Sequence, residues 1–204
     1  MSVATFPRVV IFLFLALLSQ ASVAGTVLVL GDSLSAGYGL PTGSGWVSLL
    51  KTRLAAADSD TSVVNASISG ETTAGGRRRI QALLDRHQPQ VVIVELGAND
   101  GLRGIRIPII RENLSAIVEA CKEHGAKTLL IGIRIPPNYG RDYTEKFHAL
   151  FGEISARYKT SLVPFMLDGF ATNRSLFQED GIHPNSEAQP LILKTIYGQL
   201  KPLL

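Results

Sequence analysis

Residues 27–39 read VLVLGDSLSAGYG, four apolar residues followed by a turn that holds three glycines, two serines and an aspartate. A short β-branched and leucine run closed by glycine reads as a buried strand, and Gly31 permits a sharp change of direction at its end. Two readings of the turn compete. Asp32 or Ser33 caps the helix that follows, which is what such residues ordinarily do. Alternatively, the small residues serve to present the Ser33 hydroxyl at the edge of a sheet. The rest of the chain decides between them.

Similar apolar runs recur at 26–30, 61–66, 91–96 and 127–133, with a weaker one at 161–165. Between them lie WVSLLKTRLAAA, AGGRRRIQALLDRH, IPIIRENLSAIVEACKEHG and YTEKFHALFGEISARYK, each with apolar residues at helical spacing. A last helix, SEAQPLILKTIYGQLKPLL, tolerates Pro190 because it falls near the first turns. Near-continuous apolar strands alternating with helices predict a parallel sheet covered on both faces. The expectation is an α/β fold, a three-layer α/β/α sandwich with a five-stranded parallel sheet of flavodoxin-like form. The sequence holds no internal repeat and no linker long enough to divide residues 25–204, so one domain is expected.

The amino terminus reads differently. Arg8 precedes the apolar run VVIFLFLALL at 9–18, and small residues follow in SQASVAG. A basic residue, an apolar stretch of about ten and an A-x-A-like site describe a secretory signal peptide. The run is short for a bilayer span, which takes about 20 apolar residues. Cleavage is expected after Ala24, leaving a periplasmic or secreted protein with no stable membrane insertion. Losing residues 1–24, with Arg8 their one charged residue, takes the formal charge from +3 to +2. The 204-residue chain carries neither a basic tail nor a basic stripe interleaved with aromatics, so nucleic acid is not an expected partner. With a single cysteine, Cys121, no disulfide within the chain is possible, and its helical neighbours make it a buried structural thiol.

In open parallel sheets, ligands bind beyond the carboxyl ends of the strands, and small chemical residues gather there in this chain. GDSLS follows the first strand, NASISGETT the second and GANDG the third. Gly70 in the second stretch is either a turn residue or a place where backbone N–H approaches a ligand. Asn99 in the third either braces its turn or aims its amide into a pocket. Near the carboxyl terminus, QEDGIHPN sets Asp180 three residues before His183. On a helical turn the pair would share a face, the carboxylate holding Nδ1–H and leaving Nε2 to take a proton. No second histidine stands at ligand spacing, so no metal and no cofactor are expected. His87, His124 and His148 fall on helices and read as surface residues.

These stretches together resemble the SGNH (GDSL) hydrolase superfamily: GDSLS its first block, Gly70 the second, GAND the third and DGIHP the fifth. VVNASISGETT, VELGANDGLRG and IRIPPNYG extend the likeness to the TesA-type group of thioesterase I, lysophospholipase L1 and arylesterases, across residues 25–204. The resemblance implies Ser33 as nucleophile, His183 as general base and then acid, and Asp180 as the acid orienting it. It implies an oxyanion hole from the backbone N–H groups of Ser33 and Gly70 and the Asn99 side chain. Glu179 departs from the family pattern, which has aspartate there.

The implied activity is hydrolysis of fatty acyl thioesters, lysophospholipids and simple esters by a monomer. A carbohydrate O-deacetylase of the same superfamily is the alternative, and a non-enzymatic flavodoxin-like binding module a third. Ile107 and Pro108 in LRGIRIPII, and Pro136 and Tyr139 in IRIPPNYG, are the expected substrate-lining residues. The first pair also reads as a helix start packed on the core. Arg77, Arg78 and Arg79 read as a solvated helix face.

Overall fold

The structure is a computed structural model that describes residues 25–57 and 60–204. The expected signal peptide lies outside the described residues. Among them, five strands form one sheet: β1 (Thr26–Gly31), β2 (Ser62–Asn65), β3 (Val91–Glu95), β4 (Lys127–Ile131) and β5 (Ser161–Val163). Their order is β2-β1-β3-β4-β5 and every pairing is parallel. The helices are α1 (Ser33–Ala36), α2 (Trp46–Ala56), α3 (Thr73–His87), α4 (Ala98–Leu102), α5 (Ile107–Glu123), α6 (Arg141–Tyr158) and α7 (Gln189–Leu200).

The alternation of side chains along each strand builds two cores. Val27, Val29, Ile93 and Leu129 face α2 and α7, whose Trp46, Leu50, Ile192 and Ile196 close that side. Leu28, Leu30, Val92, Val94 and Leu130 face α3, α5 and α6. A fully buried aliphatic side chain contributes about 1.5–3 kcal/mol, and both faces of β1 and β3 are lined with them. The three-layer α/β/α expectation therefore holds, and its cause is the unbroken apolar run of the central strands.

Strands β2 to β5 end earlier than their apolar runs do. β4 stops at Ile131 because Gly132 passes close to the next connection: a Cβ there would sit 2.2 Å from the Pro164 carbonyl oxygen. Gly31 closes β1 under a similar constraint. A Cβ at that position would meet Ser35 Cβ at 2.7 Å and Glu95 Oε2 at 2.9 Å. The chain can thus draw the turn after β1 tight against the end of β3, and this is where the site lies.

Candidate active site

From β1 the chain moves to β2 on one side and then crosses to β3 on the other. The turns leaving β1 and β3 part from one another and open a crevice between them. Ser33 enters it from the first turn, Asn99 from the second.

Both readings of the first turn are realised, by different residues. Asp32 is the N-cap of α1, its Oδ1 accepting from Leu34 N at 3.0 Å. Ser33 is left with a free side chain, and its Oγ lies 2.9 Å from His183 Nε2. As first residue of a helix, Ser33 has no carbonyl in its own helix for its N–H.

The histidine segment departs from expectation. Asp180 and His183 are not on a helical turn, since Gly181 takes φ 66° between them. Instead Asp180 Oδ1 accepts the N–H groups of Ile182 at 2.8 Å and His183 at 2.9 Å, an Asx-type turn. Its Oδ2 lies 2.6 Å from His183 Nδ1. Burial pushes the Asp180 carboxyl up, but the His183 N–H and imidazole and the Ile182 N–H outweigh it and hold the group down at about 2. An ionised carboxylate only accepts, so Nδ1 carries the proton and Nε2 is left to accept from Ser33.

Two further contacts fix this loop against the turn that carries Ser33. Gln178 donates its side-chain amide to the Tyr38 carbonyl at 2.8 Å, and its backbone N–H to the His183 carbonyl at 2.8 Å. The Tyr38 ring lies with its centroid 4.7 Å from that of the imidazole.

Asn99 sits on α4, directly after Gly97 and Ala98. Its Nδ2 donates to Asp32 Oδ2 at 3.0 Å and to the Glu71 carbonyl at 2.9 Å. The second bond holds the loop carrying Gly70 beside Asn99. Arg103 secures the same loop from the other side, donating to the Gly70 carbonyl at 3.2 Å. Beneath α4, the buried Asp100 accepts from Thr73 N at 2.8 Å and Thr73 Oγ1 at 2.5 Å, anchoring the start of α3.

Sequence reasoning passed over Glu95. It ends β3, is wholly buried, and its Oε2 accepts from Ser35 Oγ at 2.7 Å and Asp32 N at 3.3 Å. Burial and the neighbouring Asp32 charge push it well above the usual carboxylate range. Burial also raises Asp32, to about 6, against the lowering pull of Leu34 N–H, His183, Asn99 and Glu95. The signal was present in VVIVEL: one acid in an otherwise apolar strand, two residues before the GAND turn.

The expected substrate-lining residues are not gathered around Ser33 by any bond. Ile107 opens α5 and packs partly on the core, and Pro108 stands exposed beside it. Pro136 is exposed, while Tyr139 donates its hydroxyl to the Leu102 carbonyl at 3.0 Å and so ties the two loops together. The arginine cluster divides. Arg78 is exposed, Arg77 pairs with Glu112 at 2.8 Å, and Arg79 turns inward to Glu71 at 2.8 Å and the Ala66 carbonyl at 3.0 Å. It is thus a solvated face only in part, because Arg79 braces the Gly70 loop.

A nucleophile-like serine, histidine and aspartate at a switch point define the hydrolase class to which the comparisons also lead. Residues 29–190 match the GDSL-like Lipase/Acylhydrolase family, and the chain belongs to that family. It is 50% identical to Esterase TesA of Pseudomonas aeruginosa over 192 residues, 94% of this chain and 96% of that protein. It is 45% identical to thioesterase 1/protease 1/lysophospholipase L1 of Escherichia coli over 194 residues, 95% of this chain and 92% of that one. The crystal structure of the psychrotrophic esterase EstA from Pseudoalteromonas sp., inhibited by monoethylphosphonate, superposes with a TM-score of 0.83. That match is at 45% identity and covers 87% of this chain and 97% of EstA.

Proposed function

We propose that Ser33 is the nucleophile of a two-step acyl transfer, with His183 as its base and Asp180 holding the imidazole. As a member of its family the chain is an ester hydrolase. The observation that carries the residue assignment is the unbroken line Ser33 Oγ, His183 Nε2, His183 Nδ1, Asp180 Oδ2, at 2.9 and 2.6 Å. Ser33 attacks the acyl carbonyl as His183 takes its proton, and His183 then gives that proton to the departing alcohol or thiol. Water, activated by the same nitrogen, releases the acid.

The backbone N–H groups of Ser33 and Gly70 and the Asn99 amide receive the oxyanion. Both Asn99 protons already have protein acceptors, so the developing charge must draw one of them away from Asp32 or the Glu71 carbonyl. A preorganised donor of this kind is worth about 10²–10³ in turnover.

The substrates are acyl esters and thioesters with an apolar acyl part. Three exposed apolar side chains lie on the loops that carry the site: Tyr38, Ile68 and Ile182, at 54%, 49% and 50% exposure. Tyr38 lies against the His183 ring, and exposed apolar side chains on the site loops offer a surface to an apolar ligand. Residues 1–24 act as a cleaved leader, residues 25–204 as the catalytic domain, and the mature enzyme works in the periplasm or beyond it.

The test is hydrolysis of p-nitrophenyl esters from acetyl to palmitoyl by residues 25–204, with Ser33→Ala alongside. A Ser33-dependent optimum at medium or long chains is expected, with a loss on the order of 10⁶ in kcat for the variant. An optimum at acetyl would favour the carbohydrate deacetylase instead, and full activity of Ser33→Ala would remove the nucleophile.

A further inference from the structure

The wholly buried carboxyl of Glu95 has no place in the acyl-transfer scheme, yet it lies directly under the nucleophile turn. Glu95 is the register partner of Gly31 in the sheet, and Gly31 brings the turn within reach of its Oε2. That oxygen accepts two hydrogen bonds, from Ser35 Oγ and Asp32 N. Its other oxygen, Oε1, is buried and finds no donor among the described residues. The neighbouring carboxyl is that of Asp32, whose own N–H reaches Oε2 at 3.3 Å. Two carboxylates cannot bond unless one carries a proton, and a protonated oxygen needs no donor.

We propose that Glu95 is a positioning residue: it serves as a neutral carboxylic acid that donates its proton to Asp32, whose carboxylate in turn holds the Asn99 amide. The proposal rests on the reading of Asn99 as an oxyanion donor. The proton belongs on Glu95 and not on Asp32 because of what each faces. Asp32 receives Leu34 N–H, the Asn99 amide and the field of His183, all favouring a charge. Glu95 receives Ser35 Oγ–H and one backbone N–H, and faces the negative Asp32. A buried charge without enough donors takes up a proton instead. With Glu95 neutral, Asp32 spends Oδ1 on capping α1 and Oδ2 on Asn99. One buried acid thereby acts, through Asp32, on the amide that meets the oxyanion.

The experiment compares Glu95→Gln, Glu95→Met, Asn99→Ala and Glu95→Met/Asn99→Ala on one p-nitrophenyl ester, with infrared spectra of wild type and Glu95→Gln. Glutamine keeps one acceptor for Ser35 and Asp32 N and one donor for Asp32, so it retains kcat within about threefold, a difference of under 1 kcal/mol. Methionine removes both and lowers kcat about 10- to 100-fold with KM little changed, less than the roughly 10²–10³ of losing the donor itself. In the Asn99→Ala background the methionine adds no further loss, as expected for groups acting through one another. At neutral pH the wild type shows the carbonyl band of a protonated carboxylic acid, and Glu95→Gln lacks it. That band reads Glu95 even where Glu95→Met does not fold.

Four results would overturn the proposal: a missing band, a Glu95→Gln variant as slow as Glu95→Met, a Glu95→Met variant with wild-type kcat, or losses that multiply in the double variant. Wild-type turnover in Asn99→Ala would instead take down the oxyanion reading beneath it, a failure distinct from the other four.

Discussion

The Asn99 side-chain amide donates to Asp32 Oδ2 at 3.0 Å across the gap between the ends of β3 and β1. The bond joins a residue of the turn after β3 to the residue that precedes Ser33 after β1. It allows Asn99, the proposed oxyanion donor, and Ser33 to keep a fixed distance without any contact of their own. Asn99→Ala breaks it, and kcat is expected to fall about 10²–10³-fold with little change in KM. Steady-state kinetics on a p-nitrophenyl ester decide this.

Asp180 makes opposite demands on pH from those of Asp32. Its carboxyl sits at about 2 in the folded protein against 3.8 ordinarily, so its contribution to stability is present above about pH 4 and lost as pH falls toward 2. Asp32 is raised to about 6, so its effect is full below pH 3.8 and is lost as pH rises through 6. Asp180→Asn should therefore be less stable than wild type at pH 5 and converge with it near pH 2, as urea midpoints at each pH would show. Its turnover at neutral pH should drop roughly 10⁴-fold, because an amide leaves the imidazole in the wrong tautomer.

Gly132→Ala tests the packing between β4 and the segment after β5. The new Cβ would lie 2.2 Å from the Pro164 carbonyl oxygen and 2.8 Å from its carbon, both backbone atoms that yield poorly. A cost of about 1–3 kcal/mol follows from such overpacking. For a domain of this size Tm moves roughly 2–4 °C per kcal/mol, which thermal unfolding would register. Activity per folded molecule should be unchanged.

Cys121 is buried on the core face of α5, and burial pushes its thiol up to about 11. The thiolate that reacts with disulfide reagents is then scarce and shielded. An aromatic disulfide reagent should leave the native protein unmodified at neutral pH and titrate one thiol in urea.

The strands and their parallel arrangement were legible because β1, β3 and β4 are buried on both faces and so read as unbroken apolar runs. Ser33, Gly70, Asn99, Asp180 and His183 stood out as candidates because they fall just after apolar runs, at turns or helix starts. How they are held was less so. The turn joining Asp180 to His183 is built from side chain to backbone bonds and a left-handed glycine, and spacing of three mimics a helix there. Gln178 ties the histidine loop to Tyr38 across 140 positions of sequence, a distance over which local pattern carries nothing. Ile107 and Pro108 open α5, and sequence could not separate that role from a pocket wall because a helix start and a pocket wall draw on the same apolar residues. Glu95 stood in plain view, but an acid inside a strand acquires meaning only once Gly31 is known to lie beside it.

Ser33 and His183 are separated by 150 residues, and this separation bears on synthesis as much as on geometry. A ribosome adding about 5–20 residues per second takes roughly 8–30 s to make the histidine after the serine. On the proposed assignment the hydroxyl has no base throughout that interval, and α7, which closes one face of the sheet, does not yet exist. The nascent chain is then chemically harmless to the acyl esters around it, and hydrolytic power waits for the segment that carries His183.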